Sequence, residues 1–157
     1  MLINLVNIRP LVKPTSLEVG LCGLYGEVEF SALLDELHIL DAIWCLRDTD
    51  TCDAQFDCAM KIAMRIRHLV SVPSAIDTTV DYYYDIASES DIKKANDVAY
   101  AAWRVTKNKA DWAVFSLTNI SDDCDCTDLL YDVAEGAIDA NPEIEQTIKT
   151  MLLEVFA

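Results

Sequence analysis

Glycine and proline are scarce in this chain of 157 residues, four of each, and they are unevenly placed. Gly20, Gly23 and Gly26 fall within seven residues, with Pro10 and Pro14 just before them, whereas residues 74–135 contain neither type. So long a tract without breakers leaves no punctuation for a hairpin-rich sheet and predicts helices joined by polar turns. Positive charge is also short: 12 Lys and Arg stand against 27 Asp and Glu, a formal net charge of −15. Such a field repels nucleic acid, phosphates and anionic membranes and favours a basic partner. A long apolar run is missing, because MLINLVNI meets Arg9 and Pro10 well short of the ~20 apolar residues a membrane span needs. The same segment lacks the basic start of a signal peptide. The expectation is therefore a cytoplasmic protein with no direct nucleic-acid binding and no membrane association. Phosphate-binding glycine loops, HExxH and a nucleophile-elbow pattern are absent, as is any repeat with the period of a solenoid.

What the chain does have is core material. Its hydrophobic fraction is 52%, and its length is that of one ordinary domain. The fold class expected is all-α, a single-domain bundle of about six to eight helices. Residues 1–29 read as an irregular or weakly β N-terminal arm, with LINLV and EVEF as short strands, and residues 30–157 as the helical domain. Ser31 is the expected cap of ALLDEL, with His38 at that helix's C-terminal end. LDAIWCLRD follows, and then a longer helix from Cys52 to about Val70 with Phe56, Ala59, Ala63, Ile66 and Val70 inward. Pro73 precedes SAIDTTVDYYYDIA, where the Thr-Thr-Val and Tyr-Tyr-Tyr runs carry strand propensity against the helical spacing. Ser90 or Asp91 starts IKKANDVAYAAWRV, and Lys107–Lys109 interrupts before DWAVFSL. Ser121 or Thr127 opens a helix over about 127–139. Asn141-Pro142-Glu143 starts the last one, with Ile144, Ile148, Met151, Leu152 and Val155 on its inner side.

The acids are concentrated at the C-terminal end. Residues 110–157 hold eleven acids against the single base Lys149, a net charge of −10. Asp122, Asp123, Asp125, Asp128, Asp132, Glu135 and Asp139 are the candidate partner-binding residues, since opposite charge speeds encounter and rejects wrong partners. The DDCDCTD segment tempts a metal reading, but structural zinc wants a second ligand pair, which is missing. An EF-hand fails where Ala134 stands in place of Glu. No metal and no cofactor are expected, and the segment reads as an acidic helix start.

Six cysteines fit reduced, mostly buried thiols better than a disulfide framework. His38 and His68 read as structural or solvent-facing, with a Cys-His dyad as the catalytic alternative. The basic stripe Lys61, Arg65, Arg67 and His68 is expected to pair with Asp53, Asp57 and the acidic C-terminal third. Tyr100, Trp103, Trp112 and Phe115 read as core. At least one of Tyr82, Tyr83 and Tyr84 must be exposed.

Leu40, Asp41, Ala42, Ile43, Trp44, Leu46 and Arg47, then a helix rich in Cys and Ala, then Ala99, Tyr100, Ala101, Ala102 and Trp103 form an ordered pattern. Over about residues 30–106 it resembles the helical immunity-protein families found beside bacterial toxins and in some phages. The Ala repeats here are shorter and the tail is more acidic, and no family site residue carries over. The resemblance implies an all-α fold and a protein that acts by binding another protein. The expected function is a non-enzymatic inhibitor, of immunity, antitoxin or phage counter-defence type. It would block a basic enzyme such as a toxin or nuclease, in one version by mimicking nucleic acid. The alternative is a structural or assembly protein forming a homo-oligomer.

Overall fold

A computed structural model describes residues 1–5, 26–47, 49–120 and 125–157. Among them are two short strands, β1 (Leu2–Asn4) and β2 (Glu27–Glu29), and eight α-helices. The helices are α1 (Phe30–Glu36), α2 (Ile39–Trp44), α3 (Cys52–Arg65), α4 (Pro73–Tyr83), α5 (Glu89–Thr106), α6 (Lys109–Leu117), α7 (Cys126–Ala140) and α8 (Glu145–Phe156). Turns of 3-10 helix follow α3 at Arg67–Leu69 and precede α8 at Pro142–Ile144. This is the all-α, multi-helix domain that the spacing of apolar residues predicts, with a weakly β N-terminal segment.

The strands pair antiparallel, Ile3 opposite Val28. Alternation turns Ile3 into the core while Leu2 stays exposed. Phe30 then meets Phe156 edge-on at 5.6 Å, so the first described helix closes against the last.

Helix α7 is central. It packs on α6, α3 and α2, and α8 closes on α1 and α3. Leu129, Leu130, Val133, Ala134 and Ala137 form its buried stripe at steps of three and four. Gly136 belongs to the same stripe: a Cβ there would stand 2.8 Å from the Lys109 carbonyl oxygen and 2.9 Å from Ala113 Cβ. The missing side chain is what lets α6 and α7 approach so closely. On the far side, α4, α5 and α6 follow one another as neighbours, and among the described elements α5 touches only α4 and α6 closely.

Several boundaries differ from expectation for local reasons. Helix α1 begins at Phe30, with Glu29 and not Ser31 at the cap position. His38 caps α2 instead of ending α1, its Nδ1 accepting the Leu40 amide at 3.3 Å. Helix α3 starts at Cys52 as expected, with Thr51 at the cap position and its hydroxyl accepting from Gln55 Nε2 at 3.0 Å. Helix α5 starts earlier than Ser90, because Ser88 and Asp91 form a reciprocal capping box. Lys107, at φ 55°, ends α5 in the left-handed conformation, and Asn108 caps α6. Asp125 caps α7, accepting from the Thr127 and Asp128 amides. In α8, Ile148 and Leu152 point inward as expected, but Phe156 completes the buried row while Val155 is exposed.

The aromatic group expected in the core lies at its margin. Tyr100, Trp103, Trp112 and Phe115 form one cluster, with Trp103 and Trp112 4.9 Å apart and Trp103 stacked on Phe115 at 6.0 Å. None of the four is fully buried, and of them Phe115 packs against the hydrophobic core. Of the tyrosine run, Tyr82 and Tyr83 are half-buried and Tyr84 is exposed.

Candidate protein-binding surface

The acids of α7 alternate with its buried stripe, so the core that fixes Leu130, Val133 and Ala137 also fixes the outward acids. The structure divides the five described candidates into three groups. Asp122 and Asp123 lie outside the described residues. Asp125 and Asp128 converge on Arg47 from the turn after α2, Asp125 at 3.3 Å and Asp128 in direct ion-pair contact. The same guanidinium lies 3.9 Å over the Trp44 ring, so Arg47 is held by stacking as well as by charge. Asp139, at the far end of α7, pairs with Lys109 at 3.1 Å.

Asp132 and Glu135 remain. Both are half-buried, and among the described residues neither forms an ion pair with a base. Burial raises the Asp132 carboxyl above the usual value, and the charges of Glu135 and Asp128 raise it further. Tyr131, between them in sequence, is raised by burial and then by Glu135, Asp41 and Asp132. Its ring stands edge-on to Trp44 at 6.0 Å. Asp41, an acid of α2 that the residue pattern had not singled out for binding, therefore belongs to the same patch. Only the packing of α2 on α7 could reveal it. The result is an aromatic pair, Trp44 and Tyr131, bordered by Asp41, Asp132 and Glu135.

A polar link anchors this face from beneath. Gln55 is fully buried and accepts the Thr127 hydroxyl at 2.8 Å, while its Nε2 donates to Thr51. The first turn of α7 is thereby tied to the start of α3.

The basic stripe is balanced in part as expected. Lys61 pairs with Asp57 at 3.0 Å, four residues earlier on α3, as its spacing predicted. Arg67 holds Asp77 of α4 through two nitrogens, Nη2 at 2.7 Å. Among the described residues no ion pair joins the stripe to the C-terminal third, whose pairs are with Arg47, Lys109 and Asp35.

The thiols and imidazoles can be placed too. Cys45, Cys52, Cys58 and Cys126 stand outside any disulfide. Burial pushes the Cys45 thiol up to about 12, with Asp41 adding to it, and pushes Cys58 up to about 11. Both remain protonated, poorly nucleophilic thiols at neutral pH. His38 lines a groove of about 480 Å³ with Asp35, Glu143 and Lys149, and among the described residues no hydroxyl or thiol side chain lines it. His68 is exposed in the 3-10 turn. Among the described residues no group of three or more His, Cys, Asp or Glu is placed to hold a metal, and Cys22 and Cys124 lie outside them. No described helix is long and apolar enough to cross a membrane.

No protein-family model matches the chain, and neither a curated protein nor a solved structure shows significant similarity to it.

Proposed function

We propose that this protein is an acidic, non-enzymatic inhibitor that acts by binding a basic protein, in the manner of an immunity or antitoxin-like factor. The contact face is the patch formed by Asp41, Tyr131, Asp132 and Glu135 with Trp44. The observation that carries this reading is the clustering at Asp132. A carboxylate that its own fold disfavours, next to Glu135 and Asp128, is relieved when a cation approaches. An aromatic centre with a charged border is also the anatomy of a protein-binding surface. Asp125, Asp128 and Asp139 are already engaged by Arg47 and Lys109, so their part is to hold and orient α7. A toxin or nuclease with a basic substrate site fits this chemistry, and the resemblance of residues 30–106 to immunity-protein families points the same way.

The test is capture of a partner from the lysate of the source cells at low and moderate salt. The intact protein is compared with an Asp132→Asn, Glu135→Gln double variant. The expected result is one basic protein that the intact chain retains, that the variant loses, and whose enzymatic activity the intact chain suppresses. Retention of the same protein by both forms would remove the patch from the interface. A captured protein whose activity is unchanged would remove the inhibitor reading.

A further inference from the structure

Helix α5 has more apolar surface than its position can cover. Among the described elements it is an edge helix, packed closely on α4 and α6 alone, yet its second half reads Val98-Ala-Tyr-Ala-Ala-Trp-Arg-Val105. A helix apolar on nearly all sides is ordinarily enclosed. Here Val98 is 50% exposed, Tyr100 40% and Val105 85%. Ile92 and Ala99 mark the inner side. At 100° per residue, Ala101 lies at the centre of the outer side. Val98 and Val105 flank it on one edge, and Asp97 and Arg104 flank it on the other.

That charged edge has a specific symmetry. Asp97 forms no ion pair or hydrogen bond among the described residues, and Arg104 donates only to its neighbour, the Tyr100 hydroxyl, at 3.0 Å. The two are seven residues apart, on the same edge of the helix and about equidistant from Ala101. When two copies of a helix pair antiparallel about a two-fold axis, each edge meets the same edge of the other copy in reverse order. Asp97 of one copy then lies beside Arg104 of the other, twice, and the two valine edges meet each other. Parallel pairing sets the charged edge of each copy against the valine edge of the other, where both carboxylate and guanidinium lose water without a partner.

We propose that this chain forms a two-fold symmetric dimer through the outer face of α5, antiparallel and centred near Ala101, with Asp97–Arg104 pairs across the interface. The occupant of the face is a second copy, because the face complements itself in charge as well as in apolarity. This dimer goes beyond the inhibitor reading and uses a different surface. In each copy, α6 and α7 separate α5 from α2, so the acidic patch is left uncovered.

The experiment is sedimentation velocity of the full chain over a wide concentration range at physiological salt, with circular dichroism confirming that each variant is folded. The intact chain is expected to associate reversibly to a dimer. Val105→Asp places two like charges in the seam at an exposed position and is expected to give a monomer. Asp97→Arg and Arg104→Asp, taken singly, each turn two attractions into repulsions and should weaken the dimer about tenfold or more. The double exchange, Asp97→Arg with Arg104→Asp, restores opposite charges and should recover it. A chain that is monomeric at every concentration overturns the proposal. So does a dimer unmoved by Val105→Asp, or one that the double exchange fails to restore. Partner capture through the acidic patch is read separately and is unaffected by Val105→Asp, so the two readings fail independently.

Discussion

Asp111, near the start of α6, accepts a hydrogen bond from the backbone amide of Ser71 at 2.7 Å, across forty residues of chain. Its other oxygen accepts the hydroxyls of Ser71 at 2.8 Å and Thr106 at 2.6 Å. The carboxylate is 2% exposed, in a first helical turn where the backbone dipole also favours negative charge. One side chain thus joins the connection before α4, the end of α5 and the start of α6. Asp111→Ala leaves three donors without their acceptor and is expected to cost about 2–4 kcal/mol. Asp111→Asn, which keeps one acceptor oxygen, is expected to cost less. Urea unfolding of the two variants checks the order.

Gly136 makes a second stability prediction, in which two effects oppose. In an exposed helix, Gly→Ala gains up to about 1 kcal/mol from backbone entropy. Here the added methyl would meet the Lys109 carbonyl at 2.8 Å and Ala113 Cβ at 2.9 Å, and neither is the end of a flexible side chain. Gly136→Ala must push α6 from α7 and is expected to destabilise by about 1–3 kcal/mol. A rise in the midpoint of thermal unfolding would show that the helix pair yields more easily than this packing implies.

The acidic patch predicts a pH dependence. Asp132 has a folded-state value raised above 3.8, by burial first and then by Glu135 and Asp128. A raised carboxyl binds its proton more tightly folded than unfolded. Its ionisation therefore opposes folding as pH rises through the raised value, and has no effect below the unfolded one. Asp132→Asn is expected to stabilise the protein at pH 7, with the advantage shrinking as pH falls toward 4. Chemical denaturation of both forms at several pH values reads this directly. An equal difference at all pH values would assign the effect to something other than this ionisation.

The cysteines should separate by reactivity. Cys45 and Cys58 are buried and pushed up to about 12 and 11, whereas Cys52 and Cys126 are partly exposed. Alkylation of the native protein at neutral pH, followed by peptide mass mapping, should modify Cys52 and Cys126 well before Cys45 and Cys58. In denaturant the four rates should converge.

Most of the helices were legible because their signals are local. The breaker-free tract, the apolar residues at steps of three and four, Pro73, the Lys107–Lys109 interruption and the Asn141-Pro142-Glu143 start each act within a turn or two of backbone. The misread boundaries were local competitions between similar groups. Ser88 with Asp91 outdid Ser90, and Glu29 took the cap position of α1 instead of Ser31.

By itself, then, the sequence determined an all-helical, strongly acidic domain, and it placed most of its negative charge near the C-terminal end. Tertiary structure alone decided which of those charges are spent internally. Arg47 reaches Asp125 and Asp128 only because α2 packs on α7, and the same packing brings Asp41 of α2 to Tyr131. It also decided that Tyr100, Trp103, Trp112 and Phe115 gather in one cluster at the margin of the core, because α5 and α6 pack side by side. The physical reason is range. Helix formation is governed by contacts three and four residues apart, whereas ion pairing and burial depend on groups that only the packed fold brings together.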